Sequence, residues 1–464
     1  MEIQEILQLP VHDLIPELSK REDKDFAEFL NQYNPETHAI HDTTIRPKKI
    51  INKSVNGEET LVVQDVTRIA LPFQKIIVDR AATFLIGEGV LIVSDAENDN
   101  EERVYKMVQQ ISYDTKMDYK TRKITRTLFS ETEVAELWYL TDEANAWTKL
   151  LKKLNLSKKL TKRMRMQILS YSNGDELFPH FNVYGDMDAF SRKYSVNGKE
   201  YFDVYTAERI INYRKDDGRW KEIKNTQNEI GKIPVIYYSQ PDPEWKDVQS
   251  AIERLEVLIS NFADQNDYFA SPMVLVKGVV QGFAEKGESG KMIILQEDAE
   301  VKYLTWDQAP EAIKLEIDTL TNFIFSMTQT ANHSWSEMKG IGNASGTALK
   351  LMFLDPEHKA LKHQEIIGEG IQRRLNLLKA CVSVIDPSLK EATEMINLTP
   401  EFRFYMPGND AEIVQSLAQA MGGGRAIISR ETAVKYNPYV TNSTDELEKI
   451  KEDELGNAEN LIDY

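Results

Sequence analysis

Cysteine is almost missing from this sequence. Cys381 is the only one among 464 residues, so no disulfide can form within the chain, and a reducing compartment is expected. Cys381 lies in the apolar run 377–384, which predicts a buried thiol rather than a reactive one. Small secreted domains held together by disulfides are therefore excluded as a class.

Long hydrophobic runs are missing too. The most apolar segments, 89–93 and 271–280, are far shorter than the roughly 20 residues that span a bilayer. The first five residues are acidic rather than basic and no apolar stretch follows them, so a signal peptide is not expected. The aromatic residues, 19 Tyr, 17 Phe and 6 Trp, are enough to build sizeable cores. The sequence predicts a soluble globular protein without a membrane partner.

Positive charge is scarce relative to negative charge. The chain has 56 Lys and Arg against 74 Asp and Glu, which gives a formal net charge of −18. Proteins that grip nucleic acid neutralise phosphates with Lys and Arg, so a broad DNA-holding surface is not expected. A DNA partner would be touched locally or would slide past the protein.

The sequence also lacks a phosphate-binding loop. The segment 282–291 comes nearest, but a Walker A loop needs Lys directly after its second Gly, and here Glu288 follows Gly287. The pair Gly290-Lys291 has the required order, yet Glu285 stands where the first Gly should be. A hairpin turn is the better interpretation, and no nucleotide cofactor is predicted.

No metal-binding or catalytic constellation is found in the sequence. Asp95, Glu97 and Asp99 begin like a calcium loop, but the glycine and the final glutamate of such a loop are missing. Asp186 and Asp188 form a pair that indicates a turn between strands. The sequence therefore predicts no enzymatic activity, no cofactor and no metal site.

The first half of the chain predicts helices followed by an antiparallel meander. Helical patterns cover the residues before Pro35 and the segment 65–86, and an acidic surface turn over 98–102 precedes a further charged helix. Alternating apolar residues predict strands over 163–238. Hairpin turns are expected at three pairs in which Asn or Asp precedes Gly: 173–174, 197–198 and 217–218.

The second half predicts helices interrupted by a small β region. A helix is expected after Pro243, then short strands between 273 and 304, and then a second helix. A loop rich in Gly, Ser and Asn over 334–345 precedes a long helix, in which Pro356 predicts a kink. With a tail of short helices, the whole order indicates an α+β fold.

Two apolar stripes mark the two helices that flank the small β region. Apolar residues recur at intervals of three and four, which places them on one side of each helix. The stripes consist of Val248, Ile252, Leu255, Ile259 and Phe262 on the first helix, and of Ile313, Ile317, Leu320, Ile324 and Met327 on the second.

Taken together, these segments resemble the portal proteins of tailed bacteriophages of the siphophage type. The resemblance covers most of the chain, and its motifs are specific in combination although each is weak alone. They are Phe29–Tyr33 ahead of His38–Ile40, Leu71–Gly87, Gly231–Ile236, Ser345–Lys350, and Ile428–Thr432 with Glu446–Ile450.

The resemblance implies a portal-protein fold whose subunits form a ring, usually of twelve, with wing, stem, clip and crown regions. The two stripes would pack neighbouring stem helices, so Asp at Leu255 or Ile317 is expected to abolish ring formation. Carried over to this chain, the regions are the wing (1–240), stem helix 1 (241–269), the clip (270–308), stem helix 2 (309–333), the channel loop (334–345), the long kinked wing helix with its following segment (346–409) and the crown (410–464).

The resemblance also implies the partners. These are double-stranded DNA in the channel, the terminase, the major capsid or scaffolding protein, and a head-tail adaptor. The protein would be assembled in the host cytoplasm and carried in the virion at one capsid vertex. Lys339, Asn343 and Ser345 are the candidate DNA-facing residues of the channel loop. Lys339 fits a solvated loop lysine equally well, and the other two fit caps of the following helix better.

Two other hypotheses are open from the residues alone. A packaging ATPase-nuclease would need a phosphate loop and clustered acidic metal ligands, which the sequence does not have. A non-phage cytosolic scaffold or binding protein would leave the shared motifs as coincidence and would form no rings. The portal hypothesis accounts for the element order and for the acidic charge, because an acidic channel repels phosphates and lets DNA slide.

Overall fold

The computed structural model has the mixed helix-and-sheet architecture that the sequence predicts. It divides into two compact units, Met1–Thr330 with Lys359–Phe404, and Ala331–His358 with Tyr405–Tyr464. No helix within the described part of the chain is long and apolar enough to cross a membrane. The structure describes residues 3–21, 24–55, 58–142, 162–269, 274–277, 280–282, 294–295, 300–303, 310–332, 351–404, 410–422, 426–440, 443 and 446–453.

The α-helices are numbered in chain order. Short 3-10 turns lie between several of them. The helices are α1 Ile3–Ile6, α2 Val11–Leu18, α3 Phe26–Tyr33, α4 Phe73–Ile86, α5 Asp99–Asp114, α6 Met117–Glu131, α7 Gln249–Phe269, α8 Pro310–Met327, α9 Leu354–Ile385, α10 Lys390–Met395, α11 Asp410–Gly422 and α12 Arg430–Lys435.

The strands form antiparallel sheets. The main one has five strands in the order β10-β9-β8-β7-β6, and a second has three in the order β11-β4-β5. The remaining strands pair in twos: β1 with β2, β3 with β16, β12 with β15 and β13 with β14. The strands are β1 Lys49–Val55, β2 Glu58–Gln64, β3 Val90–Ser94, β4 Glu133–Asp142, β5 Lys162–Leu169, β6 Asp175–Phe181, β7 Met187–Val196, β8 Lys199–Thr206, β9 Arg209–Asp216, β10 Arg219–Gln227, β11 Val235–Ser239, β12 Val274–Lys277, β13 Val280–Gly282, β14 Ile294–Leu295, β15 Glu300–Tyr303 and β16 Leu398–Phe402.

Two predicted hairpin turns join strands of the main sheet. Asn197 and Gly198 have φ values of 51° and 75° between β7 and β8, and Asp217 and Gly218 have 52° and 78° between β9 and β10. Two consecutive positive φ values define the turn whose twist matches that of the flanking strands. The predicted single meander is wrong in one respect, because its strands belong to two sheets.

The core of the main sheet is covered by the N-terminal helices. Ile6, Leu14 and Leu18 are buried against Phe202 and Tyr213 of the sheet. The apolar side of α2 thus covers one face of the sheet, which explains why the N-terminal segment folds where it does. The segment before Pro35 is helical as the sequence predicts, but it is divided into three short helices.

Helix α9 belongs to the first unit from Lys359 onwards, and many of its side chains there are buried. It begins at Leu354 with Pro356 in its first turn, where a proline removes no helical hydrogen bond. Further along, Gly370 faces the buried ring of Tyr238, and a Cβ built on Gly370 would lie only 1.9 Å from Tyr238 Cε1. Only a glycine allows this close approach of helix and strand β11.

The mutation Gly370→Ala is expected to destabilise the fold by about 1–3 kcal/mol or more, because the new methyl group would force Tyr238 out of its site. The matched control is Gly368→Ala, whose Cβ would lie 3.5 Å from Phe402, an ordinary contact. That variant is expected to be neutral or slightly stabilising, since Ala favours helix more than Gly does. Urea unfolding of both variants measures the difference, and equal midpoints would contradict the assigned packing.

Candidate assembly site at the helix pair

Helices α7 and α8 pack against each other as a pair. Arg254 on α7 donates from Nε and Nη2 to Glu316 Oε1 on α8, at 2.9 and 2.8 Å. The predicted stripe residues fall into three groups by exposure. Val248, Ile252, Leu255 and Ile324 are at most 1% exposed, Ile259, Phe262, Ile313, Ile317 and Leu320 are partly buried, and Met327 is 63% exposed.

A second apolar surface of α8 remains exposed in the single chain. Leu315, Phe323 and Met327 are 69%, 49% and 63% exposed. At 100° per residue, they fall within one arc of about 120°, and the buried Ile324 lies outside this arc, about 60° beyond Met327. The apolar surface of α8 is therefore wider than the part that the single chain buries, a pattern typical of a helix that packs against further partners. We call Leu315, Phe323 and Met327 the outer arc.

The segment that precedes α4 is extended and hydrogen-bonded along α7. The backbone N–H groups of Thr67, Ile69 and Leu71 donate to three side chains of α7 at 2.8, 2.9 and 2.8 Å. Alternate N–H groups of an extended chain thus meet acceptors spaced by one helical turn. The acceptors are Asp264 Oδ1, Ser260 Oγ and Glu256 Oε1.

This arrangement corrects the prediction of a helix from Asp65. That helix begins only at Phe73, because the residues before it use their backbone donors on α7. The sequence contained a signal for this interaction, which the prediction missed. Glu256, Ser260 and Asp264 recur every four residues beside the apolar stripe, so they form a polar row along one edge of the same helix.

Two further side chains attach this row to the N-terminal region. His38 Nδ1 lies 2.6 Å from Glu256 Oε1, and both residues are buried. Arg46 donates to Asn261 Oδ1 at 2.7 Å and to Asp264 Oδ2 at 2.8 Å. His38 thus belongs to the contact that holds α7 in place.

A buried charged cluster joins the end of α8 to α9. Lys359 Nζ lies 2.8 Å from Glu244 Oε2 and donates to the carbonyl oxygen of Thr328 at 2.9 Å. His363 Nε2 lies 3.1 Å from the same Glu244 oxygen. A cation at the C-terminal end of a helix is favourable because the free carbonyls there are negative. The C-terminal end of α8 is thus attached to α9 by the charged side chain of Lys359.

The free energy of unfolding should depend on pH through the Glu244 carboxylate of this cluster. Burial raises the pKa of Glu244, but the His363 hydrogen bond and the Lys359 charge outweigh it and lower the pKa to about 2. Because the pKa falls on folding, the stabilisation is present above the unfolded value of about 4.3 and is lost as pH falls towards 2. The stability gap between wild type and Glu244→Gln is therefore expected to narrow between pH 5 and 2. If unfolding curves showed the same difference in stability between the two proteins at pH 5 and pH 2, the ion pairing of Glu244 with Lys359 would be contradicted.

A second buried network joins α9 to the three-stranded sheet. Arg374 Nε donates to Glu136 Oε2 at 2.9 Å, and Arg374 Nη2 donates to Glu136 Oε1. The Tyr238 hydroxyl donates to Glu136 Oε1 at 2.7 Å, and the Trp138 indole donates to Glu136 Oε2 at 2.9 Å. Burial lowers the pKa of Arg374, but the Glu136 charge outweighs it and raises that pKa above its usual value.

The predicted clip is described only in part, and the predicted channel loop lies wholly outside the described residues. Strand β12 pairs with β15 and β13 with β14, in agreement with short strands in this region. Lys339, Asn343 and Ser345 lie outside the described residues, so their assignment to DNA stays a prediction. Among the described residues, no group of three or more His, Cys, Asp or Glu is arranged to hold a metal ion.

Comparison with known proteins gives one family. A family model described as phage portal protein, SPP1 Gp6-like, matches residues 15–459. The portal protein of Bacillus phage SPP1 is 26% identical over 243 residues, which are 50% of this chain and 47% of that protein. The chain thus aligns with about half the length of this curated relative.

Solved structures with a similar chain trace come from gene transfer agent particles. The neck of the native particle, computed with C12 symmetry, is 11% identical and covers 79% of this chain and 88% of that chain, with a TM-score of 0.42. The neck of the empty particle, computed with C6 symmetry, is 11% identical and covers 78% and 88%, with a TM-score of 0.44.

Proposed function

Because this chain belongs to the family of SPP1 Gp6-like phage portal proteins, we propose that it forms a ring at one vertex of a capsid. DNA would enter and leave the capsid through the central channel of this ring. The family match over residues 15–459 is the observation that supports this proposal most directly. The number of subunits is proposed to be twelve, and the ring would be carried in the virion after assembly in the host cytoplasm.

The outer arc of α8 is proposed as the contact between neighbouring stems. Val248, Ile252 and Leu255 are already buried within one chain, so they are not available to a second subunit. Leu315, Phe323 and Met327 are apolar and exposed, and apolar groups gain free energy when a neighbour removes them from water. In this proposal the buried residues of the two stripes hold α7 and α8 together. The outer arc joins this helix pair to the helix pair of the neighbouring subunit.

The remaining regions keep the assignment implied by the family. Residues 1–240 would form the wing, 270–308 the clip, 334–345 the channel loop and 410–464 the crown. The clip would bind the head-tail adaptor and the terminase, and the wing would contact the capsid or scaffolding protein. An acidic chain with a net charge of −18 gives a channel that repels phosphates, so DNA would pass without being held.

A phage whose genome encodes this chain provides the test. A stop codon early in the gene should give heads that contain no DNA, and the wild-type chain supplied from a plasmid should restore filled heads. Electron microscopy of purified heads measures the filled fraction. Heads that fill with DNA in the absence of the chain would contradict the proposal.

A further inference from the structure

The main sheet carries an exposed apolar tip at one of its ends. The hairpin between β6 and β7 places Val183 and Tyr184 at its apex, 94% and 88% exposed. The backbone of the tip is held by Asn182, whose Oδ1 accepts hydrogen bonds from the N–H groups of Tyr184 and Asp186 at 2.9 and 3.0 Å. A turn that is already fixed loses little backbone entropy on binding, and exposed aromatic residues are typical anchors of an interface.

The same sheet carries a groove at its opposite end and on its opposite edge. Strand β10 is at the other edge from β6, and the groove lies beside the β9–β10 turn, between α2 and the sheet. Its volume is roughly 690 Å³, within the range of sites that bury a ligand-sized group. Val11, Ile15, Pro16 and Trp220 form its apolar wall.

The charges of tip and groove are complementary. The tip presents Asp186, which is exposed and forms no ion pair with any described residue. The groove is lined by Lys193, Lys215 and Arg219 against the single acid Glu200. Lys215 Nζ lies 2.7 Å from Glu200 Oε2 and Lys193 Nζ lies 2.8 Å from Glu176 Oε1, so both lysines already have carboxylate partners. Arg219 is exposed at the rim and forms no ion pair with any described residue. The apolar tip that carries Asp186 thus matches an apolar groove with Arg219 at its rim.

We propose that the tip of one subunit inserts into the groove of the next subunit of the ring. Tip and groove are different surfaces on opposite edges of one sheet, and a head-to-tail contact between different surfaces generates a ring when its rotation closes. Tyr184 and Val183 pack against Trp220 and Ile15, and Asp186 pairs with Arg219. This contact rests on the proposed ring and joins the wings, independently of the outer arc of the stem.

Cross-linking tests the contact directly. The variant Val183→Cys/Arg219→Cys is treated with a short bismaleimide after its native mass has shown rings. Native Cys381 does not interfere, because burial raises the pKa of its thiol to about 12 and thiolates are the reactive form. A ladder of covalent oligomers up to the full ring is expected. The matched control Tyr113→Cys/Arg219→Cys, in which Tyr113 is 81% exposed, should stay monomeric on a denaturing gel.

The outcomes separate the contact from the proposed function. Rings that form but give no ladder above the control would overturn the tip-in-groove contact and leave the portal function standing. A wild-type chain that forms no rings would contradict the portal function, and the native mass reveals this before cross-linking begins. Rings with a full ladder would support both.

A second test uses assembly equilibria. Tyr184→Ala should raise the protein concentration at which half the subunits are in rings by about tenfold or more, while Tyr113→Ala should leave it unchanged. Asp186→Arg should weaken assembly, and adding Arg219→Asp to it should recover most of the loss. Equal assembly of all these variants would overturn the contact.

Discussion

The mutation Arg374→Met is expected to lower the free energy of unfolding by about 3–5 kcal/mol, because it leaves the carboxylate of Glu136 buried without its cation. Glu136 is 0% exposed and Arg374 is 4% exposed, so solvent cannot replace the lost partner. Guanidinium unfolding followed by tryptophan fluorescence measures the loss, since Trp138 donates to the same carboxylate.

The adjacent arginine provides a matched control. Arg373 pairs with Glu369 one helical turn away, and the two side chains are 42% and 63% exposed. An exposed pair of this kind contributes roughly 0–1 kcal/mol, so Arg373→Met should unfold close to the wild type. If both variants lost the same stability, the buried network would not be what holds α9 against the three-stranded sheet.

The mutation Phe323→Asp is expected to abolish ring formation while the subunit stays folded. Phe323 is 49% exposed in the single chain, so a carboxylate there remains solvated in the monomer. In the proposed ring the same group would be buried against the neighbouring stem, at a cost of several kcal/mol. Light scattering and circular dichroism of the same sample separate assembly from folding.

Two control variants make this result specific. Lys314→Asp places the same carboxylate on an exposed face of α8 away from the outer arc, with twice the change in net charge, and should still assemble normally. Leu255→Asp should lose its folded structure as well as its ring. Leu255 is only 1% exposed, so a charge there should unfold the helix pair itself. Rings formed by Phe323→Asp with the wild-type yield would refute the outer arc as the stem contact.

The sequence predicted those parts of the fold that rest on local patterns. The apolar stripe that begins at Val248 and the Asn197-Gly198 and Asp217-Gly218 turns are all found where the patterns placed them. These features depend on residues close in sequence, whose periodicity or φ preference determines the local structure.

The parts of the fold that the sequence did not predict depend on contacts between residues that are far apart in the chain. Strand β4 was missed because Glu136 interrupts its apolar pattern, and its partner Arg374 is 238 residues away. Strand β10 was indicated only by the turn at 217–218 and not by an alternating pattern of its own, because its side chains are mostly exposed and polar. The segment before Phe73 was predicted as helix, although its N–H groups bind α7. Such tertiary interactions override local propensity.

The outer arc and the sheet tip could not be found from residue types alone. Met327 had been placed on the same stripe as Ile324, yet one is 63% exposed and the other is fully buried. Val183 and Tyr184 look like ordinary strand residues in the sequence, and only the turn at Asn182 exposes them. Exposure of apolar groups is a property of the folded chain, and it is this property that indicates where other subunits bind.

The native mass of the purified protein tests the central claim most directly. Light scattering across a size-exclusion peak, with electron micrographs of the same fractions, gives both mass and shape. The portal assignment predicts rings with a central hole and a mass about twelve times the 53.3 kDa of one chain. A compact dimer that forms no ring at any concentration, even with capsid and scaffolding proteins added, would contradict it.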